Sequence, residues 1–366
     1  MDFAFSEEQQ MLREQARAFM ADKLPLETVA GLADSDDGWD PKSWRQIAEL
    51  GWVGLSSPEA AGGAGMSFID EAVLFEELGY ALYPGPYFST VALALPALES
   101  NPDLLSAVAA GEASATLAWA EPGGPSALRD AGRVATTAER AGERWTLSGT
   151  KALVPDLGLV DTVVVVARAP EGIGLWAIEA AGEGVERTSL STMDTTRRLG
   201  RLSLEAVPAT VLVVPGDADA VVERIRRRAL ASLALEAVGI AQRAFELAQE
   251  HAGERRQFDK PIGVYQAVSH QIANTYMECE LARSLAYWAA WCVAENEQAA
   301  LASATAKAAA AEAAVDACER SIQVHGGIGF TWEHALHRLY KRAQWIESFE
   351  GYGSAHRSEI AAHVLA

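Results

Sequence analysis

The chain lacks the cysteines of a disulfide-stabilised or zinc-binding protein. Its 366 residues include only three cysteines, Cys279, Cys292 and Cys318, and all three lie in segments with helical periodicity. Their spacing fits neither a disulfide framework nor zinc ligation. We therefore expect three buried free thiols and no metal site.

Long apolar runs and basic charge are also scarce. No segment approaches the roughly 18 uncharged apolar residues of a membrane span, and Lys307, Glu312 and Asp316 interrupt the apolar stretches. The start, MDFAFSEEQQ, lacks the basic and apolar regions of a secretory signal. Thirty basic and fifty acidic residues give a formal charge of −20, which disfavours nucleic acid and anionic lipid. We expect a cytoplasmic protein with no membrane span and no nucleic-acid partner.

Common nucleotide-binding and metal-binding patterns are missing as well. Neither a Rossmann glycine fingerprint nor a Walker loop occurs at a strand–helix junction, so a dinucleotide would have to be held in another way. No metal-ligand spacing links His325 and His356 to His334 or His337. We expect His325 and His356 to be hydrogen-bonded structural residues.

Helical patterns are present at both ends of the chain, with a β-rich pattern between them. SEEQQMLREQARAFMADKL begins with Ser6 as an N-cap and has Gln9 placed for a capping box. PKSWRQIAELGWVGL and FIDEAVLFEELGYAL are further amphipathic segments. From about Ala113, six or seven short β-rich runs predict a compact barrel or sandwich. Past Pro215, helices at about 220–252, 262–296, 299–324 and 334–364 predict an antiparallel four-helix bundle.

The pattern therefore predicts a mostly α fold with a central β domain. Its three domains would be an N-terminal helical domain over 1–112, a β domain over 113–216 and a C-terminal helical bundle over 217–366.

Four segments spread over the chain match one family pattern in order. GWVGLSSPEAAGGAGMSFIDEAVLFEELGYAL fits GxxGL…PEExGGxG…EELG, and RRQFDKPIGVYQAVSHQIAN fits R-x-x-F-G-K-P-I-G-x-F-Q-A-x-x-H. QVHGGIGFTWEHALHR contains a glycine turn, and WIESFEGYGSAHR contains an aromatic-Glu-Gly sequence. The chain thereby resembles the acyl-CoA dehydrogenase family over its whole length, with the three-domain fold of that family.

The resemblance implies an FAD site. The forked guanidinium of Arg255 suits the FAD diphosphate, and the glycine turn would lie against the cofactor of a neighbouring subunit, where its backbone N–H groups can approach phosphate. The cofactor-binding residues implied by the motif positions are Arg255, Phe258, Gln266, Gln323, Gly326, Gly327, Ala120, Ser126 and Pro155. Ser126 and Gly351 are the implied substrate contacts.

Glu350 stands at the position of the family's catalytic base. Removal of the α-proton of a saturated thioester needs a carboxylate near the flavin ring, partly desolvated so that its pKa rises toward the working pH. Phe349 would contribute to that dry environment. The resemblance implies that Glu350 takes the α-proton of an acyl-CoA while the β-hydrogen leaves as hydride to FAD N5, giving the trans-2-enoyl-CoA. The N–H of Glu350 would donate to the thioester oxygen.

The same resemblance implies partners and leaves alternatives. An electron-transfer flavoprotein would reoxidise the flavin, and sites shared across subunit interfaces imply a homotetramer or a heterotetramer with a paralogous subunit.

The RIRRR run at 224–228 is expected to be a solvated helix face, with a CoA phosphate or an acidic neighbouring subunit as its alternative partner. Glu236 is the alternative base. A flavin oxidase or monooxygenase is less favoured, because oxygen-reactive relatives commonly lack a glutamate at the position of Glu350.

The β domain departs from the family pattern where the flavin would bind. Ala120 replaces a threonine of T-E-P-x-x-G-S-D, and Leu153 and Pro155 replace the tryptophan and threonine of K-x-W-I-T-N. Asp259 and Tyr352 replace a glycine and a threonine elsewhere. Two alternatives follow: a diverged active enzyme of fatty acid or steroid catabolism, or an FAD-poor or non-catalytic subunit of a heteromeric dehydrogenase. The VPD and GYALYPGPY segments are similar to subfamilies that form such mixed assemblies and accept bulky or cyclic acyl groups.

Overall fold

A computed structural model describes residues 5–123, 128 and 133–365. The α-helices of this described part are α1 (Glu7–Lys23), α2 (Leu26–Ala33), α3 (Pro41–Glu49), α4 (Phe68–Ala81), α5 (Leu95–Leu98), α6 (Pro102–Ala109), α7 (Ala218–Glu254), α8 (Gln266–Glu295), α9 (Ala299–His325), α10 (Leu336–Ser348) and α11 (Gly353–Val364). The strands are β1 (Ala115–Ala118), β2 (Thr137–Ala141), β3 (Arg144–Pro155), β4 (Thr162–Ala169), β5 (Gly172–Glu179), β6 (Val185–Leu190), β7 (Leu199–Val213), β8 (Arg256–Gln257) and β9 (Lys260–Pro261). The predicted fold class, mostly helical with a central β domain, is confirmed.

The helix start predicted at Ser6 is present. The Ser6 side chain accepts a hydrogen bond from the Gln9 N–H, and the Gln9 side chain accepts one from the Ser6 N–H. This reciprocal capping box satisfies two backbone donors that the first turn of a helix leaves free.

The central strands close into a barrel. β4, β2, β3, β7 and β5 pair in sequence, and β5 pairs back with β4, while β1 lies beside β4 and β6 beside β7. The barrel interior is apolar and includes Trp176, Leu147 and Val165. The segments RLSLEAV and TVLVV together form the single strand β7. Strands β2 and β6 were not predicted, because most of their side chains are exposed and their apolar pattern is weak.

Two crossing helices in the helical part approach very closely. A Cβ added to Gly79 on α4 would overlap the Glu236 carbonyl of α7, and one added to Gly239 on α7 would overlap the Glu76 carbonyl of α4. Glycine at both positions therefore permits backbone-to-backbone contact. This contact fixes the α7 segment that carries Glu236.

The last predicted bundle helix is two helices. We predicted one helix over 334–364, whereas α10 ends at Ser348 and α11 starts at Gly353. Glu350 and Gly351 between them have φ values of 55° and 102°, which no right-handed helix accommodates. The break places Glu350 in a turn instead of on a helix face.

The basic run at 224–228 is not a solvated helix face. Arg228 donates to the Val91 carbonyl and to Ser56 Oγ, and Arg224 donates to the Pro96 carbonyl. Arg226 is only 4% exposed. Val91 belongs to a buried π-helical segment over Phe88–Ala94. Arg228 thus satisfies a carbonyl of the π-helical segment, and Arg224 satisfies a carbonyl of α5. The expectation of a solvated face was wrong for Arg226, which is buried, and for Arg228, whose guanidinium is held by Val91 and Ser56.

The chain divides into two compact units. One comprises residues up to 36 with 68–84 and 230–366, and the other comprises 37–67 with 85–229, so that the division falls within α7. The three-domain division at 112 and 216 stays a prediction.

The three cysteines are free and buried, as predicted. Within the described residues, no helix is long and apolar enough to cross a membrane.

Candidate active site

Glu350 lies in a buried turn between α10 and α11. Phe349 leaves the helix in an extended conformation (φ −64°, ψ 129°), and Glu350 follows with a left-handed φ of 55°. A non-glycine residue in this region costs roughly 1 to 2 kcal/mol, and such strain clusters at functional sites. Glu350 is only 4% exposed, so its side chain does not project into bulk solvent. Phe349 is also buried and packs against Trp345, with ring centroids 5.3 Å apart. The expected apolar surroundings are present on this side.

Glu236, the alternative base, has a structural partner. Its Oε1 accepts from Arg342 Nη1 at 2.5 Å, and Arg342 Nη2 donates to the Tyr83 carbonyl at 3.4 Å. Both side chains are buried. The Arg342 guanidinium therefore already occupies the Glu236 carboxylate. This arrangement disfavours Glu236 as the proton acceptor and leaves Glu350 as the stronger candidate.

The Arg255 motif forms a tight exposed hairpin after α7. β8 and β9 pair through Gln257 and Lys260, and the two turn residues, Phe258 and Asp259, have φ values of 51° and 62°. Two successive positive φ values are typical of a type I′ hairpin turn, in which glycine and aspartate are favoured. This explains how Asp259 can replace the glycine of the family motif. Phe258 is 87% exposed.

The structure brings the Arg255 hairpin and the glycine turn together. Ala248 and Ala252 on α7 pack with Val324 at the end of α9, and residues at the start of α8 complete this small apolar cluster. The rings of His251 and His325 stack with centroids 4.3 Å apart, and His334 packs edge-on against His325 at 4.6 Å.

The rings of His251, His325 and His334 form a cluster. Desolvation and the neighbouring His325 ring lower the pKa of both His251 and His334. A ring nitrogen of His325 lies 2.8 Å from the Ser321 carbonyl. Within the described residues, no group of three His, Cys, Asp or Glu side chains could hold a metal ion.

The backbone and the charge where the Arg255 hairpin meets the glycine turn fit a diphosphate. Arg255, Gln323, Gly326 and Gly327 are all exposed, and a Cβ added to Gly326 or Gly327 would meet nothing within 4 Å. Open glycine backbone beside an exposed guanidinium is a suitable anion site. Gln266, also exposed, is the first residue of α8 and follows the hairpin. The helical residues therefore fit the FAD phosphates.

Glu350 does not join that cluster within one chain. Glu312 on α9 pairs with Arg357 of α11, just beyond the Glu350 turn, whereas the glycine turn begins at Gly326. Fourteen residues of helix separate Glu312 from Gly326, or about 20 Å at 1.5 Å per residue. Arg255 and the glycine turn thus lie together, and Glu350 lies elsewhere along α9.

The β-domain positions offer less to a flavin. The Ala120 carbonyl accepts from the Ala152 N–H, and the Pro155 carbonyl accepts from Thr116 Oγ1 at 2.7 Å. Neither side chain carries a hydroxyl, and proline has no N–H. Leu153, at the family's tryptophan position, is 54% exposed with φ 54°. Ser126 lies outside the described residues. Ala120 and Pro155 therefore supply no side-chain hydroxyl at the two positions where the family pattern has threonine.

A buried ion pair in the β domain escaped the sequence analysis. Lys151 is fully buried, and its Nζ lies 2.5 Å from Glu121 Oε1, which also accepts from the N–H and hydroxyl of Thr136. Burial lowers the pKa of Lys151 to about 8, although Glu121 opposes this shift. The same contacts hold the pKa of Glu121 below its ordinary value, against the effect of burial. The pair anchors the segment that carries Ala120 to strand β3.

Similarity to known proteins covers almost the whole chain. The family model described as acyl-CoA dehydrogenase, C-terminal domain, matches residues 223–365, and the corresponding N-terminal domain model matches residues 6–100. Acyl-CoA dehydrogenase IpdE2 of Mycobacterium tuberculosis is 33% identical over 98% of this chain and 95% of that protein. The caffeyl-CoA reductase-Etf complex subunit CarC of Acetobacterium woodii is 26% identical over 99% of each chain.

A solved structure gives the same result. A variant of the Tcur3481-Tcur3483 steroid ACAD superposes with a TM-score of 0.88 and 32% identity over 98% of both chains. Together with the two family models, these matches identify the protein by its family. The chain belongs to the acyl-CoA dehydrogenase family, whose members are FAD-dependent oxidoreductases that act on acyl-CoA.

Proposed function

We propose that this chain catalyses the FAD-dependent α,β-dehydrogenation of an acyl-CoA, with Glu350 as the base. The observation that carries the proposal is the buried left-handed turn that holds Glu350 beside Phe349. A buried carboxylate beside an aromatic ring is suited to removing a weakly acidic proton, because little water competes for it.

The chain's own residues have defined tasks in this reaction. Glu350 takes the α-proton, its backbone N–H donates to the thioester oxygen as negative charge develops there, and Gly351 and Ser126 contact the substrate. Arg255, Gln323, Gly326 and Gly327 hold the FAD phosphates, and Phe258, Gln266, Ala120, Ser126 and Pro155 line the rest of the cofactor site. FAD, when bound, supplies the acceptor for the β-hydride.

Anaerobic titration tests the role of Glu350. Short, medium and long saturated acyl-CoAs and a steroid side-chain acyl-CoA are added to flavin-loaded protein, and the loss of yellow colour is followed. We expect bleaching in the wild type and none with Glu350→Gln. Glu295→Gln is the control, since it removes an exposed carboxylate at the end of α8 and should bleach normally. Bleaching of Glu350→Gln at the wild-type rate would falsify the assignment.

A second candidate function is that of an FAD-poor or non-catalytic subunit in a heteromeric dehydrogenase. Two observations favour it: Ala120 and Pro155 provide no hydroxyl to the flavin, and a similar structure is a steroid ACAD whose name has two components, Tcur3481-Tcur3483. The flavin-to-chain ratio of the protein purified alone and together with a co-encoded paralogue separates the two candidates. A stoichiometric flavin content in the chain alone excludes the second.

Assembly with other chains is part of either proposal. Large apolar side chains are exposed on α8 and around the Arg255 hairpin and the glycine turn. These residues are Phe258, Val264, Tyr265, Tyr276, Met277, Leu281, Ile328, Phe330 and Trp332. Exposed apolar surface of this extent typically marks a protein interface. We propose a homotetramer or a heterotetramer with a paralogue, to be measured by sedimentation.

We propose an electron-transfer flavoprotein as the electron acceptor, because the similar CarC protein is a subunit of an Etf complex.

A further inference from the structure

Helix α9 holds the Glu350 turn from both sides. Before the turn, Lys307 Nζ donates to the Glu347 carbonyl, 3.4 Å away, in the last turn of α10. After the turn, Glu312 pairs with Arg357 of α11, and the Glu312 carboxyl leaves no room for a Cβ on Gly353. Lys307 and Glu312 therefore contact the two helices that the Glu350 turn connects.

Lys307 is an unusual residue for its place in the chain. It is fully buried, and its neighbours on α9 are almost all alanine. A buried ammonium costs several kcal/mol unless hydrogen bonds and opposing charge stabilise it. The last carbonyls of a helix provide both, because they lack partners within the helix and carry the negative end of its dipole.

Resting on the proposed function, we propose that Lys307 is a positioning residue for Glu350. Its ammonium fixes the final turn of α10, from which the chain enters the left-handed conformation at Glu350. The turn itself is closed by the Gly351 N–H, which donates to the Ser348 carbonyl at 3.2 Å. Lys307 also sets a positive charge at the Glu347 carbonyl, three residues before the base.

Other charged groups act on the same region. Glu347 and Arg342 lie on α10, Glu312, Asp316 and Glu319 on α9, His356, Arg357 and Glu359 on α11, and Glu236 on α7. Burial raises the pKa of Glu347, Lys307 opposes that rise, and the three α9 carboxylates add to it. Because acidic groups predominate, loss of Lys307 leaves the turn with uncompensated negative potential.

Hydrogen exchange and the pH profile of flavin reduction test this role. In Lys307→Met we expect amide exchange of residues 349–352 to rise about tenfold. We also expect flavin reduction by acyl-CoA to slow by about tenfold to a hundredfold, with its acid limb moved to higher pH. Lys307→Arg, which keeps the charge, should restore part of each effect. Should Lys307→Met fail to fold, Lys307→Gln carries the same test.

A buried apolar residue of the same helix provides the control. Val315→Ala destabilises α9 through a cavity and removes no polar group. If Lys307→Met and Val315→Ala give the same exchange at 349–352 and the same pH profile, Lys307 is only stabilising and the proposal is overturned. Exchange requires no turnover, so this result is independent of whether Glu350 is the base, which the Glu350→Gln titration decides separately.

Discussion

Lys151 and Lys307 are both fully buried, but they satisfy their charges differently. Lys307 donates to a helix-end carbonyl, whereas Lys151 pairs with the carboxylate of Glu121. Burial disfavours the charge on Lys151, while the Lys151 charge favours that on Glu121. Removing one member of such a pair costs more than removing both, because it leaves the other unpaired.

Replacing Lys151 should therefore destabilise the β domain. We expect Lys151→Met to lower the free energy of unfolding by about 3 kcal/mol, and Glu121→Gln with Lys151→Met to recover most of that loss. Urea unfolding measures both variants. Lys42→Met, which changes an exposed lysine on α3, serves as the control and should be neutral within about 0.5 kcal/mol. A double variant no more stable than Lys151→Met would contradict a paired role.

The same pair predicts a pH dependence. Folded Lys151 loses its proton near pH 8, and the unfolded side chain does so near its ordinary value of about 10.5. Between these values the unfolded chain binds more protons, so the contribution of Lys151 to stability rises with pH. The stability of the wild type relative to Lys151→Met should increase by about 2 kcal/mol between about pH 8 and pH 10. A constant or falling difference would exclude a depressed Lys151 pKa.

At the scale of elements, the α4–α7 crossing depends on two glycines. We expect Gly79→Ala to lower the free energy of unfolding by about 3 kcal/mol, because its Cβ would overlap the backbone of Glu236. Gly31→Ala is the matched control, since Gly31 lies in helix α2 with nothing within 4 Å of an added Cβ. It should be stabilising by roughly 0.5 to 1 kcal/mol. Thermal or urea unfolding distinguishes the two, and equal effects would refute the close contact.

Local sequence predicted some elements well and others poorly. The Ser6 and Gln9 capping box and strand β4 carry strong local patterns, and both are present. Strand β6 has no fully buried side chain, so no apolar alternation marks it. The break after Ser348 depends on left-handed backbone at Glu350, a residue type that rarely adopts it. The preceding helical periodicity concealed that break.

The candidate site was predictable where its motifs are contiguous. Glu350 and the Arg255 hairpin were located by short runs of sequence, whereas Lys307 contacts a residue 40 positions away. Its only sequence signal is a single cation within an alanine tract. The arginines at 224–228 posed the same problem, because their partners at Ser56, Val91 and Pro96 are more than a hundred residues distant.

At the scale of the whole molecule, one long helix links the two separate regions proposed to bind the cofactor phosphates and to carry the base. The glycine turn ends α9, and the Glu350 turn packs near its middle, about 20 Å away. If the glycine turn and Arg255 serve the cofactor of a neighbouring subunit, each catalytic centre of a symmetric dimer takes its base from one chain and its phosphate contacts from the other.

Defects in the two regions that α9 links should then be separable by complementation. Arg255→Gln and Glu350→Gln chains, each inactive alone, would form mixed dimers in which one centre carries both lesions and the other carries neither. Mixed dimers purified through two different tags should show roughly half of wild-type flavin reduction, because one of their two centres is intact. A co-expressed mixture no more active than its separate components would mean that each chain works on its own. The spacing along α9 would thus decide whether two harmful alleles can compensate each other.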